Sequence, residues 1–235
     1  MKVFMNWSGG KDSALALYKA KEEGIPVEAL VTSLNSSTDR VSMHGVRRKL
    51  LERQASSIGL PLYTIELPEM PGMQPYEDAV NKTHRQLKED GFTHGLFGDI
   101  FLEDLKNYRE GLLAKDGLQC IFPLWKMDSG EIINEFVALG FKAVIICVNS
   151  SYIDRSFCGR LLDGSFSNNL PDNVDACGEN GEYHSFVFDG PLFLSPVCFE
   201  KGEVVFKEYA APKTDDCFTT PQTTTGLYFQ DLLLP

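Results

Sequence analysis

Positive charge is scarce in this chain. Its 22 lysines and arginines are outnumbered by 33 aspartates and glutamates, for a formal net charge of -11. A protein that grips nucleic acid by bulk electrostatics needs a basic face, and this composition argues against one. The one basic cluster, Arg47, Arg48 and Lys49, reads as a solvated helix face. Paired cysteines are also missing. None of Cys120, Cys147, Cys158, Cys177, Cys198 and Cys217 stands at C-x-x-C spacing, which removes the usual sulfur-relay and zinc signatures. A disulfide framework belongs mainly to small secreted chains, so these cysteines read as small core residues. Cys177 has notable neighbours but no partner for redox work. No apolar run approaches the roughly 20 residues that span a bilayer. The first residues pass into a strand and a polar loop rather than a leader. The expectation is a soluble cytoplasmic protein, with no membrane partner. The G-x-x-x-x-G-K-[ST] loop of terminal phosphoryl transfer is absent as well.

What is present is an alternation. Short β-rich runs at Lys2–Asn6, Val27–Ser33, Leu62–Leu67 and His94–Gly98 are separated by helical patterns at Ser13–Glu23, His44–Ile58 and Tyr76–Asp90. Leu102–Ala114 continues the series as a helix and Gln119–Phe122 as a strand. Asp128 stands three residues before Glu131, at capping-box spacing. Lys142–Val148 (KAVIICV) is a continuous apolar run, as in a strand buried on both faces. Strands alternating with helices imply βαβ units, and right-handed crossovers make them a doubly wound α/β sheet. After about Asn149 the helical period fades and Gly, Asn, Asp and Pro punctuate short strand-like runs. The boundary therefore falls near Asn149–Asp154, giving residues 1–150 as a nucleotide-binding α/β domain and 151–235 as a smaller α+β subdomain. The tail from Thr214 is Thr-rich and then apolar. Leu232–Leu234 are expected to dock on the fold or on another subunit.

The chemistry begins at SGGKDS, Ser8–Ser13, between the first strand and the first helix. Ligands bind outside the carboxyl ends of strands in such sheets. Gly9 and Gly10 allow positive φ and close approach. Successive N–H groups and a helix N-terminus form an anion nest. Ser8 and Ser13 offer hydroxyls, and Lys11 reaches for an outer phosphate. Asp12 suits a cap or a Mg²⁺ ion that bridges phosphates. A plain glycine turn with a helix cap is the competing reading, and the coincidence of all these residues at a βα junction outweighs it. Gly98 and Asp99 close another strand on the ligand side. Gly98 would admit adenine or ribose, and Asp99 binds a cation or hydroxyl or caps the next helix. His44 contacts nucleotide or is a helix-entry residue. Trp125 reads as core. Arg155 and Arg160 read as surface pairs of Asp154 and Asp163.

A second cluster lies far along the chain, in ACGENGEYHSFVFDGPLF (Ala176–Phe193). Glu179, Glu182 and His184 crowd a stretch that also holds Asn180. Glu182 and His184 share a face if the backbone is extended. Carboxylates near a phosphate loop hold a cation or an amine, and a histidine passes protons near neutrality. A polar hairpin corner at Asn180-Gly181 is the alternative.

SGGKDS resembles the SGGxDS pyrophosphate loop (PP-loop) of the ATP pyrophosphatase superfamily. Together with GENGEYHSFVFDGPLF, SMHGVR (Ser42–Arg47), LFGDI (Leu96–Ile100), PLW (Pro123–Trp125) and CGRLLD (Cys158–Asp163), it makes nearly the whole chain similar to the diphthine–ammonia ligase family. That resemblance implies a HUP-type domain, ATP and Mg²⁺, attack on the α phosphate, and release of AMP and pyrophosphate. It implies a carboxylate acceptor joined to ammonia or an amine. The site it implies is Ser8, Gly9, Gly10, Lys11, Asp12, Ser13, His44, Gly98 and Asp99 for nucleotide, with Asn180, Glu182 and His184 for acceptor. Lys11, Asp12, Glu179, Glu182 and His184 would carry the catalysis. ENGEYH departs from the EGGEYE-like pattern of diphthine-amidating members. It resembles a bacterial branch associated with cobalamin salvage. A nucleotide sensor without turnover and a PP-loop enzyme of tRNA modification are the alternatives.

Overall fold

The computed structural model describes residues 1–42, 44–68, 72–209 and 224–235. The apolar alternation of the first strand sets the layers. In β1 (Val3–Asn6), Val3 and Met5 face one core and Phe4 faces another. The next elements are α1 (Lys11–Glu22), β2 (Val27–Asn35), β3 (Arg40–Val41), α2 (Arg48–Ile58) and β4 (Leu62–Leu67). They are followed by α3 (Met73–Glu89), β5 (His94–Leu96), α4 (Glu103–Lys115), β6 (Gln119–Ile121) and α5 (Ser129–Ala138). The strands β4-β2-β1-β5-β6 pair in parallel in that order, and β3 adds antiparallel to the end of β2. Helices α1, α2 and α5 pack with the Val3–Met5 face, while α3 and α4 pack with the Phe4 face. This is a doubly wound HUP-type sheet. Its order reverses between β1 and β5, so the loops after those two strands flank the crevice where ligands bind in open α/β sheets.

The remaining strands form a second sheet. They are β7 (Lys142–Asn149), β8 (Leu161–Leu162), β9 (Tyr183–Asp189), β10 (Glu200–Tyr209) and β11 (Thr225–Leu233). All pairings in it are antiparallel, and β7 lies at its centre between β9 on one side and β8 and β11 on the other. The KAVIICV strand is buried as its composition requires, but it belongs to this sheet and not to the parallel one. An apolar run records burial on both faces and carries no information about strand direction. The second sheet therefore opens at Lys142, ahead of the texture change near Asn149. Its inner residues, among them Val144, Ile146, Phe186 and Val187, share one core with α1, α2 and α5.

Local signals account for several boundaries. Asp128 Oδ1 accepts the Glu131 N–H at 3.0 Å, as the capping spacing requires. The helix expected from His44 starts at Arg48 instead, because Gly45 and Val46 fold back onto Val41. Gly45 N–H donates to Val41 O at 2.9 Å, and Val41 N–H to Val46 O at 2.7 Å. The basic cluster is not a free solvated face. Arg47 and Arg40 both hold Asp231 of β11, whose carboxyl falls to about 2 because these bonds outweigh burial. Arg48 pairs with Asp39 and Glu66. Leu232 is buried in the core, so the tail leucines dock on the fold itself. Residues 210–223, which hold Cys217 and the first part of the Thr-rich stretch, lie outside the described residues. Among the described residues no helix is long and apolar enough to cross a membrane.

Candidate active site

At the crevice the loop after β1 meets the first turn of α1. Gly9 takes φ +80°, a left-handed conformation that glycine adopts without strain. The expected outward hydroxyls are turned inward. Ser8 Oγ lies 3.2 Å from Ser13 Oγ and accepts the Gly10 N–H, and Ser13 Oγ donates to Gly10 O at 2.9 Å. Two serines five residues apart can satisfy each other across one turn, and here they brace the loop. The Lys11 N–H is also taken, by Ser185 Oγ of β9 at 3.1 Å.

Lys11 is not an arm extended to an outer phosphate. Its side chain is buried. Nζ donates to Asp12 Oδ2 at 2.9 Å and to the Cys177 carbonyl, and sits 4.9 Å from the centre of the Tyr183 ring. Burial pulls the ammonium toward neutrality, but Asp12 outweighs it and holds the group charged above its ordinary range. Burial raises the Asp12 carboxyl in turn, although Lys11 pulls it back. Asp12 Oδ1 is buried without a partner.

Gly98, at the end of β5, is explained by packing. A Cβ there would stand 2.9 Å from the Asp12 carbonyl carbon and oxygen and 3.0 Å from Ser13 N. The close approach it permits is that of α1's own first turn, and Gly98 also lines the cleft. Asp99 is 7% exposed and does not cap α4. It forms a two-point pair with Arg109 of α4, at 2.6 Å and 3.1 Å, and the guanidinium lies over the Phe97 ring.

The other wall is the segment leading into β9. Glu179 Oε1 accepts the Ile100 N–H at 2.9 Å. Burial raises its carboxyl to about 7; the Ile100 N–H opposes this, and Asp12 and Asp99 add to it. Glu182 is 2% exposed and does not line the cleft. Its Oε1 accepts from Asp175 N and Asn180 Nδ2, both at 3.1 Å. Glu182 and Asn180 are bonded to each other across the turn, with Glu182 buried and Asn180 exposed. Asp175 Oδ2 adds bonds to the Cys177 and Glu179 amides. Glu182 precedes β9 and is buried away from the cavity that His184 lines.

His184 stacks on His44 with ring centres 4.4 Å apart and planes at 28°. Burial, with Lys11 nearby, lowers His184 to about 4. Burial, then His184 and Lys11, lowers His44 well below its ordinary value. At neutral pH the cleft thus carries two neutral imidazoles beside one ammonium. His44 Nδ1 is buried without a partner.

Gly10, Lys11, Asp12, His44, Gly98, Asp99, Glu179 and His184 come together around a cavity of about 210 Å³. Ser8, Gly9 and Ser13 support its floor from behind. Sequence reasoning missed Arg109, Tyr183 and Ser185, which also line it. No spacing rule ties Arg109 to Asp99. Ser185 enters because β9 crosses the loop after β1, where Val187 N–H donates to Gly9 O at 2.9 Å. The Cys177 thiol is buried, bonded to Ser129 O and pushed up by burial, so it is no nucleophile. Asp154 and Asp163 bond to Ser156 and Ser165 rather than serving arginines, and Arg160 lies over Phe157.

Two family models divide the chain much as the sheets do. The diphthamide synthase N-terminal domain matches residues 1–120 and the diphthamide synthase C-terminal domain matches residues 128–210. A diphthine–ammonia ligase of Danio rerio is 26% identical across 93% of this chain and 91% of its own length. The Homo sapiens diphthine–ammonia ligase is 26% identical across 87% of this chain and 85% of its own. One from Schizosaccharomyces pombe is 26% identical across 87% of this chain, which covers 37% of that longer protein. On these matches, carried across both sheets and the cleft between them, the chain belongs to the diphthamide synthase family and is an enzyme of the ligase class.

Proposed function

We propose that this chain is an ATP-dependent amide ligase that adenylates a carboxylate and passes the acyl group to ammonia or an amine. The observation that carries the reading is the cleft itself, where a glycine loop at a helix N-terminus meets a buried ammonium and a carboxyl poised near 7. The acceptor carboxylate oxygen attacks the α phosphorus, and the bond from that phosphorus to the bridging oxygen breaks. Pyrophosphate leaves into the field of the α1 N-terminus and Lys11. The amine nitrogen then attacks the acyl carbon, AMP departs, and Glu179 is placed to accept the nitrogen's proton. Asp12 fits a Mg²⁺ ion, since its unpartnered Oδ1 is the hard oxygen such an ion selects. When bound, that ion would neutralise the departing pyrophosphate. Among the described residues no group of three or more acidic, His or Cys side chains forms a protein-only metal cage.

The acceptor is the finer part of the proposal. His184 puts a neutral ring where EGGEYE-like members place an acid. The ENGEYH resemblance favours a carboxylate of a cobalamin precursor over a translation-factor side chain. The test is incubation with ATP, Mg²⁺ and ammonium alongside corrinoid carboxylates and a diphthine-bearing protein. AMP and pyrophosphate are expected, and ADP with phosphate would sink the pyrophosphate-loop reading. His184→Ala is expected to keep affinity for ATP within about twofold and to lose acceptor-dependent turnover. Equal loss of both would count against placing the acceptor beside β9.

A further inference from the structure

Gln54 stands on the buried stripe of α2, among Leu50, Leu51, Ala55 and Ile58, and is fully shielded from water. A primary amide in such a place needs every bond it can make. Its Oε1 accepts the Trp7 Nε1–H at 3.1 Å. Its Nε2 donates to Gly9 O at 3.0 Å and to Val187 O at 2.5 Å. The amide cannot be turned round, because only the NH₂ can meet two carbonyls and only the oxygen can meet an indole N–H. The Gly9 carbonyl thus has two donors, Gln54 Nε2 and Val187 N–H. The contact is close enough that a Cβ on Gly9 would stand 2.7 Å from Gln54 Oε1.

We propose that Gln54 is a positioning residue for the phosphate loop and the link between that loop and β9. By holding the Gly9 carbonyl away from the cleft, it keeps a negative dipole out of an anion site. By holding Val187 O with the same nitrogen, it fixes the strand carrying His184 and Ser185 against the loop. One amide thereby sets the spacing between the nucleotide wall and the acceptor wall. The proposal rests on the nucleotide reading above.

The test is affinity of the full chain for α,β-methylene-ATP with Mg²⁺, measured by calorimetry beside thermal unfolding. Gln54→Leu is expected to bind at least tenfold more weakly. Leu51→Ala, a core truncation in the same helix, is expected to lower the melting temperature while holding affinity within twofold. Equal affinity of Gln54→Leu and wild type would overturn the proposal. If Gln54→Leu does not fold, Gln54→Glu decides. Protonated, its carboxyl keeps one donor for the two carbonyls; ionised, it sets oxygen against both. Its affinity, relative to wild type, is expected to fall more than tenfold between pH 6 and pH 9. A pH profile parallel to wild type would overturn the idea. Wild type without affinity for the analogue would instead overturn the nucleotide reading from which the proposal starts.

Discussion

Lys11→Met is expected to lose both stability and turnover. Methionine keeps the length of the buried stem but removes the ammonium. Asp12 Oδ2 and the Cys177 carbonyl then lose their donor in a site with little water. Breaking a buried pair by deleting one partner costs about 3–5 kcal/mol. Asp12 keeps 27% of its side chain exposed, so the lower end, about 3 kcal/mol, applies here. For a chain of this size that is a drop of roughly 10 °C in melting temperature. Turnover of ATP to AMP should fall by about 10²–10³, the usual loss of one preorganised charge facing a developing anion. The double variant Lys11→Met/Asp12→Asn removes the orphaned carboxylate. It should recover part of the melting temperature and none of the turnover, a coupling that a double-mutant cycle reads directly. If Lys11→Met melts like wild type while turnover is lost, the Lys11–Asp12 pair contributes nothing to stability. The ammonium's place beside Cys177 would then need revision.

The contrast between the two partners of this pair shows what the sequence could convey. The strand–loop–helix rhythm made the parallel sheet legible, because each signal is local: a period of apolar residues, a Gly-Pro stop, a cap at Asp128. SGGKDS was legible for the same reason, since its six residues fold as one turn. What Lys11 touches was not legible. Its partners are its neighbour Asp12 and a carbonyl at Cys177, far along the chain, and nothing in either segment states that they meet. The same holds for β7. Its composition reports burial on two faces, while its direction depends on strands that come later in the chain. Gln54 is an intermediate case. A glutamine on the stripe of Leu50, Leu51, Ala55 and Ile58 is visible in the sequence as a polar residue in an apolar position, though its partners are not.

The second large effect belongs to Glu179. Burial raises its carboxyl from the ordinary 4.5 to about 7, against the pull of the Ile100 N–H and with help from Asp12 and Asp99. For a group raised on folding, the contribution to stability is complete below the unfolded value and is lost as pH rises through the folded one. Glu179 therefore favours the folded chain below about pH 4.5, and this support drains away up to about pH 7. His184 works in the opposite sense. Lowered from 6.5 to about 4, it supports the fold above pH 6.5, and that support is lost as pH falls to 4. The two slopes offset each other through the acid range, so the wild-type melting curve alone hides both. The difference between wild type and Glu179→Gln isolates one of them. Glutamine can accept the Ile100 N–H but binds no proton, so the variant should gain on wild type steadily from pH 4.5 to pH 7. In turnover, wild type should show a limb near pH 7 as the carboxyl ionises into the form that takes a proton from the attacking nitrogen. Glu179→Gln should lose that limb and about 10²–10⁴ in rate, while affinity for ATP stays within twofold. A variant that keeps the limb at pH 7 would move the proton acceptor elsewhere in the cleft, and one that loses ATP affinity in step with rate would make Glu179 a binding group instead.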